Sequence, residues 1–199
     1  MKHAVSFLLV MGLAACGPAP QQETVRLKVE AAPDLLRPSD TEPEPLAALS
    51  GPVEDKIAEI RIILGRNSLS QLSRLAQREP AFVSNFAGEG HRTHWDLLRR
   101  TGFDPLARLG QLLDGPYGVK TVGEEAWYVW PDLAALEPDE LLPERLSFSD
   151  RARLLELVGE TGIARVRDGQ GYPGVRTAFA EDGRWLYYVH ETEDEQSEE

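Results

Sequence analysis

One cysteine, Cys16, stands in a chain of 199 residues. No disulfide can form within such a chain, so its fold must be held by packing and hydrogen bonding alone. Only part of the sequence suits that task. Between residues 17 and 50, Pro18, Pro20, Pro33, Pro38, Pro43 and Pro45 stand among Gln, Glu, Asp and Ser. This composition buries too little apolar surface to offset the cost of ordering. Residues 191–199 are mostly acidic and read as a disordered tail. The remaining stretch, 51–190, is expected to form one domain, and about 140 residues suffice for a core without cross-links.

The start of the chain has a pattern of its own. Lys2 supplies a positive charge, residues 4–11 form a short apolar run, and Leu13, Ala14 and Ala15 lead directly into Cys16. The run is too short to span a bilayer, which takes about 20 residues. Small residues follow it, as signal-peptidase cleavage requires. The pattern resembles the lipobox of bacterial lipoproteins. The resemblance implies that residues 1–15 are a signal peptide, and that Cys16 is diacylated on its thiol and acylated on its new amino group. Several acyl chains on one residue, palmitate among them, anchor a protein stably, whereas one chain holds only marginally. In that family an Asp after the cysteine retains the protein in the inner membrane. Gly17 stands there instead, which implies the outer membrane, facing the periplasm. Residues 16–50 then serve as lipidated cysteine and tether, with a coil reach of about 30–35 Å. Within the tether, residues 25–29 (Val-Arg-Leu-Lys-Val) alternate like a strand. An added edge strand and an extended linker both fit them.

The net charge of −12 excludes nucleic acid as a partner, which needs a basic footprint. It also argues against adhesion of the folded body to anionic lipid headgroups. The membrane is expected to be reached through the lipid alone.

Along the domain, Val53, Ile57, Ile60 and Leu64 recur at helical spacing, with Pro52 in the first turn and Gly65 at the stop. Ser68 and Gln71 have capping-box spacing before the stripe Leu69, Leu72, Leu75, Ala76, and Pro80 ends that helix. Residues 81–86 read as a short strand or turn entry. Thr93 and Asp96 suggest the cap of a third helix carrying Trp95 and Leu98. Asp104 and Pro105 open a fourth, with Leu106, Leu109 and Leu113 inside. The second half changes character. Residues 126–130 (Ala-Trp-Tyr-Val-Trp) are a strand by composition, and 132–142 a short helix and loop. Ser147 or Ser149 caps a helix that stops near Gly159 or Gly162. Residues 175–180 and 185–190 are strand-like, joined through Asp182-Gly183, a strong hairpin signal. The expected class is α+β: N-terminal helices packed on one face of a small, mainly antiparallel sheet that ends in a β-hairpin.

The stretch 82–90 (Phe-Val-Ser-Asn-Phe-Ala-Gly-Glu-Gly) before Trp95 resembles a segment of an uncharacterised family of bacterial envelope proteins. The runs 127–131 and 180–185 resemble the same group. Some members carry an SH3-type module downstream, which this chain is expected to lack. The resemblance spans 69–190 and implies no activity. The phrase "strand, Gly-Glu-Gly, helix" is also similar to nuclear-transport-factor-2-like cone folds, the alternative architecture, by fold analogy only.

Few residues carry chemistry. His91 and His94 share a helix face at i and i+3 near Glu89 and Asp96. Imidazoles and carboxylates are zinc ligands, but the spacing specifies no site, so no metal and no cofactor is expected. Cys16 is consumed by lipid, and Ser84 and Ser147 lack the Gly-x-Ser-x-Gly elbow. The residues favour a non-enzyme without settling the matter. The aromatic residues are more informative. Strand alternation places Trp127 and Val129 opposite Tyr128 and Trp130, and Trp185, Tyr187 and Val189 opposite Leu186, Tyr188 and His190. One face can be core. The other, with Tyr128, Trp130, Tyr188 and His190 beside Arg165, Arg167 and Arg176, is the expected binding surface for an envelope protein or glycan. A sheet covered on both faces is the competing expectation. The expected function is a lipid-anchored periplasmic binding or scaffold lipoprotein. The alternative is an envelope hydrolase acting on peptidoglycan or a small ester.

The lipobox reading has a direct test. Cys16→Ser should abolish both palmitate labelling and cleavage of the leader. Labelling that persists in the variant refutes it.

Overall fold

The structure is a computed structural model and describes residues 48–190. The leader, Cys16, the strand-like run at 25–29 and the acidic tail lie outside the described residues. Four helices come first: α1 (Gly51–Gly65), α2 (Leu69–Arg78), α3 (His91–Arg100) and α4 (Pro105–Asp114). Their starts follow from local chemistry. Pro52 occupies the first turn of α1, where a missing N–H leaves no bond unmade. The Ser68 hydroxyl accepts from the Gln71 N–H at 3.3 Å to cap α2. Asp104 caps α4 through the Leu106 N–H at 3.0 Å, with Pro105 next in line.

One expectation in this half is corrected. The third helix begins at His91 behind Gly90, with no side-chain cap, so Thr93 and Asp96 lie inside it. Asp96 pairs one turn back with Arg92 at 2.8 Å instead. Residues 81–86 are a loop that makes a single parallel bridge, Val83 to Tyr187. The Val83 N–H donates to Leu186 O, and Val83 O accepts from the Tyr188 N–H.

The sheet is an open antiparallel meander in the order β1 (Gly118–Val122), β2 (Glu125–Trp130), β3 (Arg176–Ala180), β4 (Trp185–Val189). It completes the expected α+β class, as an open sheet rather than a cone. β1 was not foreseen: Gly-Val-Lys-Thr-Val is short and mostly exposed, with no buried alternation to betray it. A two-residue turn at Gly123-Glu124, with Gly123 at φ +66°, joins it to β2. This is the position where a type II′ turn requires glycine. A 3₁₀ turn (Asp132–Ala135) and helix α5 (Phe148–Arg167) fill the connection from β2 to β3. Gly159, at φ +67°, breaks α5 into two helical pieces.

Helices cover both faces of the sheet, not one. On the first face, Tyr128, Trp130, Phe179, Trp185 and Tyr188 join the apolar stripes of α1–α4 in one core. On the second face, Val129 and Ala178 pack with Leu133, Leu141, Leu154, Ile163 and Val166. The alternation expected for β4 also fails, because a bulge interrupts its pairing with β3. Ala178 opposes Tyr187 and Phe179 opposes Trp185, so Leu186 is an extra residue. One extra residue reverses the alternation. Trp185 and Tyr188 therefore share a face, while Leu186 and Tyr187 turn to the other core.

The hairpin tip at Asp182-Gly183 docks on the start of α1. Gly183 has φ +87°, and a Cβ there would lie 2.6 Å from the Pro52 carbonyl oxygen. The Ser50 hydroxyl donates to Glu181 O at 2.6 Å.

Because Tyr188 is core, truncation should be expensive. Tyr188→Ala removes a ring packed on Trp95 and Trp185 and a hydroxyl that donates to Pro105 O at 2.8 Å. The expected loss is about 3–5 kcal/mol, read from denaturant unfolding. A loss under about 1 kcal/mol would return Tyr188 to the surface.

Candidate functional site

The four residues expected to form a binding surface do not lie together on one. Tyr128 is 6 % exposed, Trp130 2 % and Tyr188 2 %. Each lies under the N-terminal helices, because the face chosen from alternation is the one those helices cover. Tyr128 also donates from its hydroxyl to Ala48 O at 3.3 Å, fastening the entry of the domain. The arginines expected beside them have local partners. Arg167 pairs with Glu144 at 2.8 Å, Arg165 donates to the Gln170 side chain, and Arg176 donates to Tyr172 O and Gly174 O.

His190 alone remains partly accessible. It follows β4 and lines a cleft of about 310 Å³. The α3–α4 loop contributes Phe103, α4 contributes Arg108, Gln111 and Leu112, α5 contributes Glu156 and Leu157, and the segment before β3 contributes Tyr172 and Val175. Phe103 is placed by its N–H, which donates to Leu98 O at the end of α3. Its ring lies 4.2 Å from the His190 imidazole, centre to centre. Arg108 is steadied by the Gln111 side-chain oxygen at 3.0 Å. The His190 Nδ1 is buried and has no hydrogen-bond partner among the described residues. Burial, aided by nearby His94 and Arg108, pushes the His190 pKa down. Burial pushes the Tyr172 phenol up, so it stays protonated. The cleft thus joins apolar walls to a guanidinium, a carboxylate, a neutral imidazole and a phenol. Ligand pockets are commonly built in this way, from apolar walls and a few placed polar groups.

A second cluster surrounds α3. The Ser84 Oγ accepts from Asn85 Nδ2 at 3.1 Å and lies 2.8 Å from His91 Nδ1. The imidazole tautomer decides which of the two carries the proton between them. Burial, then the His94 charge, lowers the His91 pKa. The pair has the form of a serine and its base. However, Ser84 is 1 % exposed, and among the described residues no carboxylate bonds to His91. The contact fixes the loop: Asn85 also bonds the backbone of Glu89 through both ends of its amide. His94 is buried on α3, and its Nε2 has no hydrogen-bond partner among the described residues. Among the described residues no three potential metal ligands gather. In comparisons with known proteins, no family model, no curated sequence and no solved structure matches the chain.

The imidazoles make stability depend on pH. Burial lowers the pKa of His91, His94 and His190, while Glu89 opposes this at His94. Below about pH 6.5 the unfolded chain therefore binds more protons than the folded one. Stability should fall as the pH drops from about 7 to 5. His94→Gln should reduce that fall, seen as a smaller shift of the urea midpoint. An identical shift in the variant would remove His94 from the account.

Proposed function

We propose that the protein is a lipid-anchored binding module of the bacterial cell envelope, and that its ligand occupies the His190 cleft. The carrying observation is the half-apolar cleft of about 310 Å³ that sets His190 and Arg108 among Phe103, Leu112, Leu157 and Val175. Arg108 supplies a cation for an anionic group. Phe103, Leu112, Leu157 and Val175 supply surface for an apolar body. The lipobox at Cys16 supports the anchor and the periplasmic side of the outer membrane. Ser84 is too deeply buried to favour the hydrolase alternative.

The test uses the full chain purified from envelopes in detergent. Native mass spectrometry should detect a bound small molecule, and returning the extracted ligand should raise the melting temperature. Arg108→Glu and Leu157→Arg should each reduce ligand retention at least tenfold while melting within a few degrees of wild type. Wild-type protein that carries no ligand and gains no stability from envelope extracts overturns the proposal.

A further inference from the structure

β1 is an edge strand: among the described residues it pairs only with β2. Its open side can be read from the register. Ala126 turns its carbonyl toward β3, where it accepts from the Glu181 N–H. Antiparallel pairing alternates along each strand. Ala126 and Tyr128 therefore bond toward β3, and Glu125, Trp127 and Val129 bond toward β1. The partners of those three are Val122, Lys120 and Gly118. Val119 and Thr121 are left with N–H and C=O groups turned to the open edge. Both residues are exposed, and no proline or bulge blunts the strand. Such an edge is a template for another strand unless it is covered.

Beside this edge runs a cleft of about 400 Å³. Its floor is apolar, with Leu133, Ala135, Leu136 and Leu146. Asp132, Glu137, Glu140 and Asp150 stand around it, with Lys120 the one lining cation. Arg153 neutralises Asp132 and Asp150. Among the described residues, no cation pairs with Glu137 or Glu140. Gly118 and Lys120 share this face of the sheet with Val129 and Trp127, whereas Val119 and Thr121 share the opposite face with Tyr128.

We propose that β1 and this cleft bind an extended polypeptide segment of a partner protein, added as a fifth strand, with Lys or Arg at alternate positions. The backbone of the segment bonds to Val119 and Thr121. Its alternate side chains enter the cleft, where long aliphatic stems lie on Leu133, Leu136 and Leu146 and cationic heads reach Glu137 and Glu140. The side chains between them extend the opposite face beside Val119. Main-chain bonds supply affinity and the alternating pockets supply selection. This surface is separate from the His190 cleft, because β1 and β4 are opposite edges of the sheet.

The experiment uses the full chain in detergent and a labelled synthetic peptide, acetyl-Thr-Val-Lys-Val-Arg-Val-Thr-amide, followed by fluorescence anisotropy. Saturable binding is expected, with a Glu-for-Lys/Arg peptide at least tenfold weaker. Glu137→Lys with Glu140→Lys should weaken binding at least tenfold. Thr121→Pro removes an outward N–H without breaking a bond to β2 and should do the same. As a check that needs no variant, amide exchange at Val119 and Thr121 should slow on peptide addition. No binding at millimolar peptide, or binding that leaves those amides unprotected, overturns strand addition. Equal binding of the acidic peptide overturns the cationic selection.

Discussion

The hydrogen bond from the Trp185 indole to Thr177 ties β4 to β3 beneath the N-terminal helices. The indole N–H donates to the Thr177 Oγ1 at 2.8 Å, and the Thr177 hydroxyl donates onward to Tyr187 O at 2.7 Å. Both valences of a fully buried hydroxyl are thus used, and the second bond is made at the β4 bulge. The indole is also the meeting point of the rings: Phe82 lies 4.4 Å away, with Trp95, Phe179 and Tyr188 between 6.3 and 6.4 Å. The Trp185 backbone N–H donates to Glu79 at the end of α2, and Glu79 pairs with Lys56 on α1. Helices, loop and sheet converge on one residue. An indole N–H left unmade there would cost about 1–3 kcal/mol before any loss of packing.

This arrangement decides where function can reside. A bulge that turns both Trp185 and Tyr188 to the helices commits that face to the core. The inserted α5 and 3₁₀ turn close the other face. With both faces spent, accessible chemistry is pushed to the ends and edges of the sheet. His190 stands just beyond the last strand, and the open backbone of β1 borders the first.

The helices were legible because their caps and stripes are local: Ser68, Asp104, Pro52 and Pro105 act within a few residues of themselves. The hairpin was legible for the same reason, through Asp182-Gly183. The burial of Tyr128, Trp130 and Tyr188 was not, because alternation states which residues share a face and not which elements cover it. The bulge at Leu186 was invisible too, since it depends on the pairing of β4 with β3. β1 escaped notice because its exposed residues carry no hydrophobic alternation. Of the candidate site, only His190 was named in advance. Arg108, Phe103, Glu156 and Tyr172 come from distant parts of the chain and give no local signal.

The acidic balance of the chain bears on both proposed surfaces. The side chains give the chain a net charge of −12, which repels anionic surfaces. The same charge draws a cationic segment toward it. At the β1 cleft the local field has the same sign as the global one, with no cation paired to Glu137 or Glu140 among the described residues. At the His190 cleft, Arg108 opposes it locally. Long-range attraction thus favours basic partners, while the anionic ligand proposed for the His190 cleft depends on short-range contacts within a small, half-apolar space. Salt should therefore weaken association at the strand edge more than at the cleft, because screening acts chiefly on exposed, separated charges.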